Sequence, residues 1–188
     1  MSTIMADPTS RIAARIRAER EARGWSLADV AERSGVSRAM ISKVERGESS
    51  PTAALLGRLC GAFGLTMSTL LSRAEGDGGR ISRAGDQHVW QDPDSKYIRR
   101  SVSPRPGGPL DLVVAELPAG ASVSYPANNY GFTRHQIWIQ EGHLTFVEGA
   151  ETHELGPGDC LELGTASDCT FANRSTRPCR YLVAVALK

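Results

Sequence analysis

A chain of 188 residues, 40% hydrophobic and 23% charged, has the composition of a globular protein and room for two small domains or one medium one. No apolar run is long enough to cross a bilayer and the N-terminus lacks the apolar core of a signal peptide, so a cytoplasmic protein is expected, with Cys60, Cys160, Cys169 and Cys179 as thiols. The net charge of +1 hides an asymmetry: residues 1–73 carry 11 Lys/Arg against 7 Asp/Glu (net +4), and residues 74–188 carry 11 against 14 (net −3), which makes the second part a poor surface for nucleic acid.

In chain order, Ile12 and Ile16 at helical spacing predict a first helix that stops at Gly24. Ser26 with Asp29 three residues on forms a capping-box-like start for a second helix whose apolar face is Leu27, Val30 and Ala31. Gly35 and Val36 make a turn that a residue with a β-carbon resists. Ser37 caps a third helix with Ile41 and Val44 inside and Gly47 at its end. This is the pattern of a helix-turn-helix, and it leaves Arg38, Ala39, Met40, Ser42 and Lys43 on surfaces that packing does not need. Ser50 and Pro51 open a fourth helix, with the proline at its first helical position and Leu55, Leu56, Leu59 and Phe63 buried. Met67, Leu70 and Leu71 predict a short fifth helix. Residues 74–85, rich in Gly, Asp and Arg, read as a linker.

Beyond the linker the apolar period changes to two. Strands are expected at Tyr97–Val102, Leu110–Leu117, Ser122–Tyr125, His135–Gln140, His143–Val147, Thr152–Leu155, Cys160–Leu163, Cys169–Ala172 and Cys179–Leu187. Short turns rich in Gly, Pro and Asn separate them, the signature of an antiparallel sandwich or barrel.

Residues 10–72 closely resemble the Cro/CI-type (XRE family) DNA-binding domain. The carrying residues are Arg17, Arg20 and Arg23 to Ala28, then Ala31 and Ser34 to Ser37, then Ile41 to Gly47, and Ser50 to Thr52. The resemblance implies a five-helix, lambda-repressor-like domain over 1–73 whose recognition helix, Ser37–Arg46, lies in the major groove, with Glu45 paired to Arg17 or Arg20. At the front of such a helix, Arg38 suits guanine, Ala39 and Met40 suit a thymine methyl, and Lys43 reaches a base or phosphate. Ser42 lies on the same exposed surface, and Ser26, Ser37 and Ser49 suit phosphates. One departure is Leu27, where many relatives place a glutamine that helps to position the recognition helix.

Residues 86–188 look like a cupin, a double-stranded β-helix barrel often fused behind this type of DNA-binding domain. The second cupin motif keeps its spacing in Gly158, Gly164, Ala166, Cys169 and Asn173, but its proline, second glycine and histidine are replaced. His135 stands where the first motif has its glutamate, with six residues between it and Gly142. The two metal histidines that precede it fall near Asn128 or Asn129 and Tyr130 or Gly131, none of which is histidine. A zinc ion on His135, Cys169 and one more group is one reading. A metal-free interior with no cofactor is preferred, and there Asn129, Tyr130, His135 and Cys169 are the candidate effector residues.

Together these readings predict a cytoplasmic, sequence-specific DNA-binding transcriptional regulator, whose cupin domain senses a small molecule and mediates dimerisation, and not an enzyme. Its partners are double-stranded DNA with a palindromic operator, a small-molecule effector and a second copy of the chain. The alternative is a cupin enzyme, of dioxygenase or isomerase type, that carries a DNA-binding domain.

Overall fold

The structure, a computed structural model, describes residues 8–72, 80–105 and 108–188. Among these residues five helices come first: α1 (Pro8–Ala22), α2 (Leu27–Ser34), α3 (Arg38–Glu45), α4 (Ala53–Phe63) and α5 (Met67–Ser72). Ile12 and Ile16 lie one turn apart on α1 and share a core with Val30, Ile41, Val44, Leu56, Leu59 and Phe63. Burying these apolar side chains stabilises the helices far more than their propensities can, since α2 and α3 are only eight residues each.

Local chemistry sets the helix ends. Ser26 Oγ accepts from the Asp29 N–H at 3.2 Å, and the Asp29 carboxylate accepts from the Ser26 N–H at 2.7 Å, completing a capping box. Gly35 closes α2 at φ 66°, the left-handed conformation that its missing β-carbon permits. Ser37 caps α3, accepting from the Met40 N–H at 3.3 Å. The start of α4 differs from expectation. Pro51 does not open this helix; it begins at Ala53, and Thr52 Oγ1 accepts from the Leu55 N–H at 3.3 Å. A threonine cap satisfies an orphan donor, whereas proline at the first helical position only removes one, so the helix begins two residues later, with Pro51 buried ahead of the cap.

Of the expected linker, residues 74–79 lie outside the described residues, and Ala84–Asp86 form a 3-10 turn that leads into the β structure. Among the described residues ten strands follow: β1 (Val89–Gln91), β2 (Ile98–Ser101), β3 (Leu110–Leu117), β4 (Ser122–Tyr125), β5 (Thr133–Glu141), β6 (Leu144–Glu148), β7 (Glu151–Leu155), β8 (Cys160–Glu162), β9 (Cys169–Ala172) and β10 (Cys179–Leu187). The nine expected strands occur with ends shifted by at most two residues, and β1 is an addition, too short at three residues to show a period. All the pairings are antiparallel. One sheet has the order β1-β2-β3-β10-β5-β8 and the other β4-β9-β6-β7. Alternation turns Val113, Ala115, Ile137, Ile139 and Tyr181 of the first sheet inward, where they meet Val123, Phe146 and Phe171 of the second. The result is an antiparallel cupin-type barrel.

The helices and the barrel share a joint. The side of α4 opposite its leucines carries Gly57, Cys60 and Gly61, and it packs against β4 and the 3-10 turn Ala127–Asn129. A β-carbon on Gly57 would lie 2.6 Å from Asn129 Nδ2 and 2.8 Å from Tyr125 Cδ1, and one on Gly61 would lie 2.6 Å from Asn128 Cγ. The glycines therefore set how closely helix and barrel approach.

Candidate functional site

Helix α3 holds the candidate DNA-binding side chains. Ile41 and Val44 are buried, which turns Arg38, Ala39, Met40 and Lys43 outward, all exposed. From below, α3 is fastened by Glu45, whose carboxylate accepts from Arg20 Nε at 2.7 Å and Nη2 at 2.8 Å, while Arg20 Nη1 donates to the Trp25 carbonyl at 3.1 Å. The choice between Arg17 and Arg20 thus falls to Arg20, and Arg17 pairs with Glu21 at 2.7 Å on the surface. Such a two-pronged, charge-assisted pair fixes orientation as well as position. Beside it, Trp25 stacks on Phe63 with ring centroids 5.9 Å apart and lies under the Arg33 guanidinium at 4.4 Å.

The remaining candidates are placed as follows. Ser37 is exposed at the N-terminus of α3 and caps it. Ser49 is half-buried and Ser42 is held by the Arg46 side chain. Ser26 is exposed, but its hydroxyl also donates to Asp29 at 2.7 Å. Leu27, in the position of the relatives' glutamine, packs against the hydrophobic core.

A second site lies at the joint. A cavity of about 60 Å³ is bounded by Cys60, Leu65, Thr66 and Met67 from the helices and by Tyr97, Arg99, Tyr125, Asn129, Tyr130, His135, Phe171, Val183 and Val185 from the barrel. Three of the four candidate effector residues, Asn129, Tyr130 and His135, line it. Cys169 does not: it is buried on β9, and its Sγ donates to the Ser167 carbonyl at 3.3 Å. His135 Nε2 lies 2.8 Å from Thr133 Oγ1, and its ring meets Tyr130 edge-on at 5.0 Å. Burial, reinforced by the positive charges of Arg99 and Lys188, pushes the His135 pKa down to about 4, so the ring is neutral at pH 7. Burial pushes the Cys60 and Cys169 thiols up to about 12 and Cys179 to about 11, which keeps these three from acting as ready nucleophiles. Among the described residues, no three of His, Cys, Asp and Glu gather as metal ligands do. Asn173, at the asparagine of the second cupin motif, is 1% exposed and works as a staple, its Nδ2 donating to the carbonyls of Leu117, Pro118 and Arg177 at 2.7 to 3.1 Å.

Arg99 escapes a reading of the sequence because Ile98, Arg99 and Arg100 look like a solvated edge. The signal was present in the alternation: Tyr97 and Ser101, two residues either side, are buried, and Arg99 shares their face. The helical wall of the cavity gives no such signal, since Cys60 and Met67 register only as core.

Five helices with an exposed, capped third helix, joined to an antiparallel cupin-like barrel, define a helix-turn-helix regulator. A helix-turn-helix family model, HTH_3, matches residues 16–70. Over 157 residues the chain is 41% identical to the HTH-type transcriptional regulator SutR of Escherichia coli (strain K12), a match that covers 83% of this chain and 82% of that protein. The chain belongs to the XRE (HTH_3) family of transcriptional regulators. Its fold is shared by an HTH_3 family transcriptional regulator from Vibrio cholerae, which superposes with a TM-score of 0.79 over 96% of this chain and 97% of the other, at 23% identity. The cupin domain of an XRE family regulator from Enterobacter cloacae also aligns, over 49% of this chain and 97% of that one, with a TM-score of 0.45 and 15% identity.

Proposed function

We propose that this regulator reads a palindromic operator as a dimer, through the front of α3, and that the cavity at the joint holds a small-molecule effector. The observation that carries the DNA reading is the outward set Arg38, Ala39, Met40 and Lys43 on a helix fixed from below by Glu45 and Arg20. Arg38 pairs with a guanine, Ala39 and Met40 touch thymine methyls, and Lys43 reaches a base or phosphate. Ser26, Ser37, Ser42 and Ser49, with the N–H groups at the helix starts, hold the backbone in register. Two-fold pairing is required to place two such helices on half-sites about 34 Å apart. On the outer face of the six-stranded sheet Val114, Leu182 and Trp138 lie side by side across β3, β10 and β5, an apolar row that suits a second copy of the barrel.

On this reading the protein works in the cytoplasm as a regulator and not as an enzyme. His135 is engaged by Thr133 and Cys169 by Ser167, and among the described residues neither gathers with the further His, Cys, Asp or Glu that cupin metal chemistry draws on. No helix among the described residues is long and apolar enough to cross a membrane. Footprinting of the intact protein on its own promoter region tests the reading. Two protected half-sites one helical turn apart are expected. Arg38→Ala is expected to lose about 1–3 kcal/mol at the operator and little on random DNA. Equal loss on both DNAs would remove Arg38 from base recognition.

A further inference from the structure

We propose that the cavity at the joint is a carboxylate site, in which Arg99 binds the headgroup of a small monocarboxylic acid and the apolar wall receives its tail. This rests on the reading of the cavity as the effector site and gives the effector a chemical class.

The starting point is an arginine without a counter-ion. Arg99 Nη2 donates to Ser68 Oγ at 2.9 Å, its Nε is buried with no hydrogen-bond partner, and among the described residues no carboxylate pairs with it. A guanidinium stays charged under all physiological conditions, so burial does not neutralise it as it neutralises His135. A buried cation left unpaired is strongly unfavourable. Two further residues that line the same cavity each carry a buried polar atom with no hydrogen-bond partner, the Tyr125 hydroxyl and Asn129 Oδ1. Three residues around one space that each carry an unsatisfied buried polar atom point to a polar occupant.

Charge, size and lining narrow the class. Neither Asp nor Glu lines the cavity and His135 is neutral there, so Arg99 contributes one positive charge, which one negative charge balances. A volume of about 60 Å³ holds about four to six non-hydrogen atoms, judged by the share that one ordered water needs. The planar fork of an arginine matches a carboxylate in two-pronged fashion, and the Tyr125 hydroxyl can donate to it as well. Met67, Phe171, Val183 and Val185 offer the remainder an apolar surface.

The site also couples the two parts of the chain. Ser68 belongs to α5 and Arg99 to β2, so an anion that draws the guanidinium toward itself competes with the bond between them. A ligand that alters this bond alters how the helical head sits on the barrel, the differential contact that a population shift needs.

Titration calorimetry of the intact protein tests the site, with sodium propionate and sodium lactate as probes, propanamide and lactamide as neutral counterparts, and sodium sulfate as a doubly charged oxyanion. One carboxylate equivalent per chain is expected, at least about tenfold tighter than its amide and than sulfate. Arg99→Gln is expected to lose about tenfold or more, with partial recovery in Arg99→Lys. If Arg99→Gln does not unfold cooperatively, Tyr125→Phe carries the test: it keeps the ring, removes the unpartnered hydroxyl, and is expected to weaken the carboxylate severalfold. Amides binding as tightly as acids, a preference for sulfate, or no carboxylate binding at millimolar concentrations would overturn the proposal and leave the operator footprint untouched. Binding that depends on Arg99 but leaves operator affinity unchanged would keep the site and remove the effector role.

Discussion

Glu45 lies almost wholly inside the helical head, its side chain 7% exposed, and Arg20 opposite it is 16% exposed. Removing one partner of such a pair leaves the other charge buried and alone, which is the expensive half of the exchange. Glu45→Ala is therefore expected to cost about 3 kcal/mol of stability, read from the urea midpoint, with Glu45→Gln losing less because it keeps an acceptor for Arg20. His135 gives a prediction with a sign. Burial first, then Arg99 and Lys188, lower its folded-state pKa to about 4, below the ~6.5 of an exposed imidazole. Above pH 6.5 the ring is neutral whether folded or unfolded, and its contribution is fully present. As pH falls from about 6.5 toward 4 the unfolded chain takes up a proton that the folded chain refuses, so stability drops by up to about 3 kcal/mol. His135→Gln removes that contribution, and the difference in urea midpoints between variant and parent should shrink between pH 7 and pH 4.5. A difference independent of pH would place the ring in water.

Helix α4 is the element that serves two neighbours. Its leucines and Phe63 complete the helical core, while Gly57, Cys60 and Gly61 meet the barrel. Replacing Gly57 by alanine favours the helix by about 0.5–1 kcal/mol in isolation. In place, the new methyl meets the buried ring of Tyr125, which has little room to give. The expected outcome of Gly57→Ala is a loosened joint: faster amide hydrogen exchange in β4 and the Ala127–Asn129 turn, with α1 to α3 protected as before. This element also shows what the sequence discloses and what it does not. A stripe of Leu56, Leu59 and Phe63 announces one buried face. Two glycines and a cysteine announce nothing, because small residues carry little hydrophobic signal and their purpose, close approach, depends on a partner about seventy residues away. The capping serines, Gly35 and the Arg20–Glu45 pair were within reach because their partners are local or belong to the helix-turn-helix pattern. The cavity was half legible: Asn129, Tyr130 and His135 could be named from motif positions, but Arg99 and the helical wall depend on how two units dock.

At the scale of the whole molecule, the apolar row of Val114, Leu182 and Trp138 is where the proposed dimer would pair. Trp138 is 46% exposed on a strand whose alternate residues fill the barrel. Trp138→Glu puts a charge in the middle of this row without touching the interior. It should convert the protein to monomers in light scattering and weaken operator binding, while the melting of the monomer fold changes little. A variant that remains dimeric would move the interface elsewhere on the barrel.

The joint built by Gly57 and Gly61 has a consequence for how such a protein can be recombined. A regulator made of a head and a barrel on a tether invites exchange, one head for another, with specificity moved like a cassette. Here the head carries part of the cavity wall and the barrel carries the surface that the glycines fit. A chimera made by cutting after α5 would transplant half the wall of this cavity and a mismatched seam. Heads should be exchangeable only together with a barrel whose Tyr125, Asn128 and Asn129 positions accept the same α4, so the inherited unit is the seam rather than either part.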